Sequence, residues 1–310
     1  MTREYFSIER DGFYGTYYPC RSGSVYMAIM QIGDNTDDIL AKAGVKFAHD
    51  LGVNVLAMSP DRGSYAFHDF PIERYGMAIE EGRKRGNMHF SIMGASTTGM
   101  TSLVAASYYP EISLTIALTP SDWIMEGYYR GKKDGCSEWP GNGRESTLSW
   151  EGNPLPFLPF SKRHPDYYQS VVDEGKRNGD MLRSRPLFDE SERMCTDMEA
   201  CRVSTEDIRG HIVLVGAEDD ALWDTCRYIR RIDEHLKKVP HECTYEIHTF
   251  EKGTHFVFPE RMFRKIFPGI GTLMTFIAFK AGREYPKECL KTRREIDRIL
   301  ENAIKSWMDA

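Results

Sequence analysis

The sequence of 310 residues has no long apolar segment. It contains no window of about eighteen or more apolar residues, which is close to the minimum for an α-helix that crosses a bilayer. The N-terminal residues MTREYFSIERDG carry charges where a secretory signal peptide would have an apolar stretch. We therefore expect a cytoplasmic protein that does not associate with membranes.

Cysteine and metal-binding motifs are also scarce. The seven cysteines are odd in number and scattered, and they form no CxxC pair or Cys/His cluster with the spacing of a zinc site. The sequence has no HExxH motif and no carboxylate-rich spacing typical of a metal hydrolase. We expect reduced, mostly buried thiols, no metal ion and no other cofactor.

The sequence has no excess of positive charge. There are 40 Lys and Arg residues against 46 Asp and Glu, a net charge of −6, so no global positive field is available to bind a phosphate backbone. The composition, 41% hydrophobic and 28% charged, excludes a disordered or low-complexity chain. We expect a small-molecule partner and no nucleic acid, and the sequence leaves homo-oligomerisation open.

Apolar runs alternate with helix-like segments in the first part of the chain. Strand-like runs that are apolar almost throughout occur at residues 25–33, 53–60, 88–94 and 112–120. Segments with the helical spacing of apolar residues separate them, at 37–52, 72–86 and 97–110. Continuous apolar runs are typical of strands that are buried on both faces. The pattern predicts an α/β fold with a mostly parallel, doubly wound sheet.

The alternation breaks between about residues 121 and 205, where the sequence is rich in turn formers and aromatics. It resumes with strand-like runs at 211–216 and 243–250, a helix-like segment at 224–239 and an amphipathic region from about 270. We predict a single domain over residues 1–310, with a cap inserted at 121–205. The aromatic runs around Asp11 and Gly12 predict an antiparallel hairpin at the sheet edge.

One serine has the surroundings of a nucleophile. Ser96 follows the strand-like run MHFSIMG and precedes a helix, with Gly94 two residues before it and Gly99 three residues after it. This is the layout of a nucleophile elbow, in which a tight turn presents the hydroxyl above the sheet. The backbone N–H of Thr97, at the start of the helix, could stabilise an oxyanion. A simple turn serine is the alternative.

An acid and a base follow two later strands. Asp219 and Asp220 come directly after the run HIVLVG, and His255 follows the run CTYEIHTF. An acidic pair at a helix start is often only an N-cap, and a loop histidine is often structural. However, ligands of doubly wound sheets bind at the carboxyl ends of the strands, and the order Ser, Asp, His is that of the α/β-hydrolases. We predict a catalytic triad, with Asp220 favoured over Asp219 by its spacing to Trp223.

The remaining candidate residues would stabilise the oxyanion or bind the acyl group of the substrate. We assign the second oxyanion donor to the backbone N–H of Asp34, after the strand-like run 25–33, although the residues there are turn formers in any context. Aromatic residues of the predicted cap either line an apolar acyl pocket or only pack the cap on the core. They are Trp123, Tyr128, Tyr129, Trp139, Trp150, Phe157 and Phe160.

Several segments resemble the catalytic domain of the bile acid-CoA:amino acid N-acyltransferase and acyl-CoA thioesterase family, within the α/β-hydrolase superfamily. They are IMGASTTGM, STLSWEGNPLPFLPF, VSTEDIRGHIVLVGAEDDALWDT and the loop of His255. The resemblance runs through most of the chain and implies an α/β-hydrolase fold. It assigns Ser96 as nucleophile, Asp220 or Asp219 as the orienting acid, and His255 as base.

Two departures from the family pattern bear on the substrate. Family elbows usually have Lys and then Gly after the nucleophile, where this sequence has Thr97 and Thr98. The acyltransferase branch resembles a cysteine enzyme, whereas Ser96 favours hydrolysis over amide synthesis. Animal members also carry an N-terminal β-sandwich, and this chain resembles their catalytic domain alone.

These observations predict a serine hydrolase that cleaves a thioester or ester through an acyl-enzyme on Ser96. A carboxylesterase or acyltransferase that acts on a substrate without coenzyme A is an alternative, because the sequence has no Gly-rich phosphate loop. A non-catalytic binding protein on a hydrolase scaffold is the alternative from another class, since a fold does not fix a function.

Overall fold

The computed structural model describes residues 3–21, 23–33, 35–63, 66–130, 137–138, 144–159, 167–266 and 271–310. The strands, in chain order, are β1 (Glu4–Phe6), β2 (Tyr14–Tyr18), β3 (Tyr26–Gln31), β4 (Asn54–Ser59), β5 (Phe70–Pro71), β6 (His89–Ala95), β7 (Ile112–Leu118), β8 (Tyr129–Arg130), β9 (Ser137–Glu138), β10 (Leu148–Trp150), β11 (Asn153–Pro154), β12 (His211–Ala217) and β13 (Thr244–Phe250).

The α-helices lie mostly between these strands. They are α1 (Ile8–Asp11), α2 (Ile39–Asp50), α3 (Glu73–Lys84), α4 (Thr97–Tyr108), α5 (Tyr167–Asn178), α6 (Arg185–Met194), α7 (Thr225–Leu236), α8 (Glu260–Ile266), α9 (Gly271–Ala278), α10 (Lys280–Glu284) and α11 (Pro286–Asp309). Two short 3₁₀ helices span Glu199–Cys201 and Thr205–Asp207.

Eight strands form one sheet in the order β1-β2-β4-β3-β6-β7-β12-β13. β2 runs antiparallel to both β1 and β4, and every pair from β4 to β13 is parallel. The predicted alternation of strands and helices and the mostly parallel sheet are therefore confirmed. The hairpin predicted around Asp11 and Gly12 is also present as the pair β1 and β2, with the short helix α1 in its connection.

Both faces of the sheet are buried. Alternate residues of one strand enter different clusters, so that Ile29 packs with α3 and α4 whereas Ala28 packs with α2 and α11. The same alternation holds for Leu56 and Val55 on the neighbouring strand. Because each face needs an apolar side chain, the strands appear in the sequence as continuous apolar runs.

The chain between β7 and β12 contributes no strand to the large sheet in the part that the structure describes. β10 pairs with β5 and β11, and β8 pairs with β9. Ion pairs attach this stretch to α7, because Arg231 binds Asp122 and Glu192 with N–O distances of 2.6 and 2.7 Å. It corresponds to the residues predicted to form the cap.

The described cysteines are free thiols, and all but Cys195 are buried. Burial raises the pKa of the Cys201 and Cys226 thiols to about 12, so these two side chains are protonated at neutral pH. Among the described helices, none is both long and apolar enough to cross a bilayer.

Candidate active site

Ser96 lies in a strained turn between β6 and α4. Its backbone has φ of 62° and ψ of −127°, in the left-handed half of conformational space that non-glycine residues rarely adopt. The Ser96 N–H donates to the carbonyl oxygen of Leu118 at 2.8 Å, and the Ser96 carbonyl accepts from the N–H of Gly99 at 2.9 Å. The sheet and the helix thus hold the turn from both sides, as in a nucleophile elbow.

The glycines on either side of Ser96 have no room for a side chain. A Cβ atom at Gly94 would overlap the carbonyl group of Thr98, and one at Gly99 would lie 2.8 Å from the carbonyl oxygen of Leu118. Both obstacles are backbone atoms that cannot move aside without disturbing the turn. The spacing of these glycines around Ser96 therefore follows from close backbone approach.

Thr98 braces the same turn through its hydroxyl group. The hydroxyl accepts from the N–H of Ala95 at 2.9 Å and lies 2.7 Å from the carbonyl oxygen of Gln31, at the end of β3. The turn thus accommodates a β-branched residue here through hydrogen bonds to the two adjacent strand ends. Sequence reasoning missed this role, because nothing in the local sequence indicates the contact with Gln31.

Asp220 and His255 lie side by side at the ends of β12 and β13. Nδ1 of His255 is 2.8 Å from Oδ2 and 2.9 Å from Oδ1 of Asp220. His255 is 4% exposed and Asp220 is 1% exposed. Asp219, the other candidate acid, instead forms an ion pair with Lys252 at 3.3 Å. The structure therefore pairs His255 with Asp220.

The Asp220 carboxylate is held in place by its own loop and by α7. Oδ1 accepts from the N–H of Leu222 at 2.9 Å, and Oδ2 accepts from the hydroxyl of Thr225 at 2.5 Å. The guanidinium of Arg185 donates to the carbonyl oxygen of Asp220 at 3.4 Å. Thr225 and Arg185 were not predicted, because both are ordinary residue types without a motif around them.

Nε2 of His255 is buried and has no hydrogen-bond partner among the described residues. Two contacts bring the backbone of His255 toward the turn of Ser96. Leu118 binds the Ser96 N–H, and the hydroxyl of the next residue, Thr119, lies 3.4 Å from the carbonyl oxygen of His255. The described residues therefore leave Nε2 as the unused nitrogen of the imidazole.

A cavity of about 240 Å³ opens beside Ser96. Ser96, Thr97 and Thr98 form its polar side, and most of the rest is apolar. The apolar lining residues are Ile32, Leu40, Ala95, Tyr128, Phe256 and Phe258. Such a cavity, with a few polar groups on apolar walls, is typical of a small-molecule site.

The structure places some of the predicted oxyanion donors and aromatic residues at the cavity and others elsewhere. Thr97 is the first residue of α4 and borders the cavity, whereas Asp34 lies outside the described residues. Of the predicted aromatics, Tyr128 lines the cavity, Trp123 is fully buried in the core, and Tyr129 is partly exposed. Trp150 and Phe157 pack on the core, and Trp139 and Phe160 lie outside the described residues.

Comparison with known proteins gives a family match and a fold match. Residues 84–262, more than half of the chain, match the family described as BAAT / Acyl-CoA thioester hydrolase C terminal. Two structures of the Pyrococcus furiosus esterase Pf2001 superpose with TM-scores of 0.50 and 0.51 at 13% and 14% identity. Each superposition covers 96% of this chain. The matched part is 88% of the first esterase chain and 86% of the second. No curated protein sequence matches.

Proposed function

Because this chain belongs to the BAAT / acyl-CoA thioester hydrolase C-terminal family and has the α/β-hydrolase fold, we propose that it is a serine hydrolase. Membership of the family supports hydrolysis of an ester or thioester. The finer part of the proposal is an acyl-enzyme on Ser96, with His255 as base, Asp220 as orienting acid and Thr97 and Asp34 as oxyanion donors.

The proposed reaction has two halves. Nε2 of His255 takes the proton of the Ser96 hydroxyl while its oxygen attacks the carbonyl carbon of the substrate. The N–H groups of Thr97 and Asp34 donate to the oxyanion, and collapse of the intermediate releases a thiol or alcohol that takes the proton back from His255. Water then attacks the acyl-enzyme by the same route and releases the acid.

The observation that carries this proposal is the hydrogen bonding of the two ring nitrogens of His255. Asp220 holds Nδ1, so a proton there leaves Nε2 free to accept another one, and Nε2 is buried with no described partner. Catalytic hydrogen bonds are often long in a ligand-free enzyme and tighten in the substrate complex. We therefore expect the bond from the Ser96 hydroxyl to Nε2 to form when the substrate fills the cavity.

The cavity supports an apolar acyl group as part of the substrate. Leu40, Tyr128, Phe256 and Phe258 would contact it, and Ser96 would meet its carbonyl group. We propose that residues 121–205 act as the cap over this edge of the sheet, since Tyr128 belongs both to that stretch and to the cavity wall. The partner is then a small acyl ester or thioester.

Active-site labelling tests the nucleophile directly. We expect a fluorophosphonate probe to add one label to the wild-type protein, and Ser96→Ala to remove both the label and turnover of an aryl ester. Ser107→Ala is the matched control, because Ser107 lies on α4 with Thr97, does not border the cavity, and its hydroxyl donates to the carbonyl oxygen of Val104. Full esterase activity in Ser96→Ala would disprove the assignment.

A further inference from the structure

We propose that Trp223 and Thr119 are positioning residues that hold the imidazole of His255 in the orientation for proton transfer, an inference that rests on the proposed function. Both residues are buried, with exposed fractions of 3% and 0%. Neither borders the cavity beside Ser96, so they would act through His255 and not on the substrate.

Trp223 contacts both members of the buried pair. Its ring is nearly perpendicular to the imidazole of His255, at 84° with 5.1 Å between ring centroids. Its backbone N–H lies 3.4 Å from Oδ1 of Asp220, the carboxylate that holds Nδ1. An imidazole that is held at one nitrogen can still tilt about that bond. The perpendicular indole, an attractive arrangement for aromatic rings, restricts this motion.

Thr119 fixes Trp223 and the histidine loop to the sheet. Its carbonyl oxygen accepts from Nε1 of Trp223 at 3.1 Å, and its hydroxyl lies 3.4 Å from the carbonyl oxygen of His255. Its own N–H donates to Val215 on β12 at 2.7 Å. The indole and the backbone of His255 are therefore both tied to the residue that follows β7.

The backbone of Thr119 indicates that this arrangement is strained. Its φ is 42°, and a β-branched residue rarely adopts the left-handed region. Glycine would adopt this conformation freely but would lack the hydroxyl that faces His255. Ser96 and Thr119 thus occupy left-handed turns at the ends of the adjacent strands β6 and β7. Strain of this kind persists where the surroundings enforce it and clusters at functional sites.

The test compares two buried tryptophans. Trp123 is the matched control for Trp223: both rings pack against Phe188, with centroids 5.6 and 5.3 Å away, but Trp123 also contacts Tyr228 where Trp223 contacts His255. We expect Trp223→Leu to slow fluorophosphonate labelling of Ser96 by about tenfold or more, because small misplacements of a catalytic group are costly. Trp123→Leu should slow labelling by less than about threefold, measured per folded molecule by circular dichroism.

Proton NMR supplies a readout that does not depend on turnover. A far-downfield resonance from the Nδ1 proton between His255 and Asp220 should persist in Trp123→Leu and broaden or vanish in Trp223→Leu. Should either leucine variant fail to fold, Trp223→Phe and Trp123→Phe replace them. Trp223→Phe keeps a ring against the imidazole but removes the N–H bound to Thr119, so we expect slower labelling than in Trp123→Phe.

The outcomes separate the two proposals. Absence of label on Ser96 in the wild-type protein would refute the proposed function. If the wild-type protein labels, and the variants of Trp223 label as fast as those of Trp123 and retain the downfield resonance, the positioning role is refuted while the hydrolase assignment stands.

Discussion

Replacing Asp220 by Asn should abolish most of the activity while leaving the shape of the site intact. In the native protein Oδ1 accepts from backbone N–H groups and lies 2.9 Å from Nδ1 of His255, whereas Oδ2 accepts from Thr225 and lies 2.8 Å from Nδ1. An amide oxygen can keep the bonds of Oδ1, but an NH₂ group in place of Oδ2 cannot accept a proton from Nδ1. An NH₂ group at the nearer position donates to Nδ1 and favours the tautomer with the proton on Nε2, which disables the imidazole as the base for Ser96.

The expected loss of kcat follows from this change of tautomer. We expect kcat to fall by about 10³ to 10⁴ with little change in KM, as for loss of the orienting acid in serine triads. This corresponds to about 4 to 5.5 kcal/mol of transition-state stabilisation. The assay is steady-state hydrolysis of a short-chain aryl ester, with urea denaturation to confirm that the variant is folded.

Asp219→Asn is the matched control for this substitution. Asp219 precedes Asp220 in the same loop, but its ion pair is with Lys252 and its side chain is 28% exposed. We expect less than about a threefold loss of kcat, because partly exposed ion pairs contribute little. The reasoning would be refuted if Asp219→Asn were the more damaging change, or if Asp220→Asn retained more than about a tenth of the native kcat.

Two further predictions concern the elbow and the stability of the fold. Gly99→Ala should slow labelling of Ser96 by at least about tenfold, because the new methyl group meets the carbonyl of Leu118. Gly23→Ala is the control for a glycine outside the site: its φ of 66° strains any side chain, but a Cβ there meets no atom within 4 Å, so labelling per folded molecule should not change. Equal labelling of both variants would contradict the packing argument. For stability, burial opposes but hydrogen bonds from Arg202 outweigh it and lower the pKa of Glu206 to about 2 from 4.5. A carboxyl whose pKa is lowered on folding stabilises the fold at pH values above its unfolded pKa, and this stabilisation is lost as the pH falls from about 4.5 through the folded value of about 2. Glu206→Gln should therefore cost about 1–2 kcal/mol at pH 7, after allowance for solvent screening, and about half of that or less near pH 3, measured by urea denaturation. A cost that does not change with pH would count against it.

The parallel sheet could be predicted from the sequence because its strands are buried on both faces and therefore appear as continuous apolar runs. The runs at 88–94 and 112–120 correspond to β6 and β7, His89–Ala95 and Ile112–Leu118, and each run supplies side chains to both clusters of the core. Short strands such as β5 and β10 could not be predicted. They are two and three residues long, and they pair through contacts between segments that lie far apart in the chain.

The candidate site was predictable only in its chemical groups. Ser96, Asp220 and His255 are residue types that the chemistry requires, and each follows a strand that the pattern had already indicated. The residues that hold these three side chains in place could not be predicted. Thr98 contacts Gln31 across 67 positions and Thr119 contacts His255 across 136, so no local sequence signal marks either contact. Asp219 and Asp220 differ only in the direction in which one turn points them.

The spacing of the strands explains why Thr119 matters for the reach of His255. Ser96 follows β6, and His255 follows β13, three strands away through β7 and β12. At about 4.8 Å between neighbouring strands, the sheet alone separates the two strand ends by about 14 Å, too far for a proton transfer. The loop after β13 must therefore return across β12 toward β7. The contact between the Thr119 hydroxyl and the carbonyl of His255 lies at the end of β7, directly after the residue that binds the Ser96 N–H. Without that contact, Asp220 and Trp223, which follow β12, would still hold the imidazole, but one strand further from the serine hydroxyl.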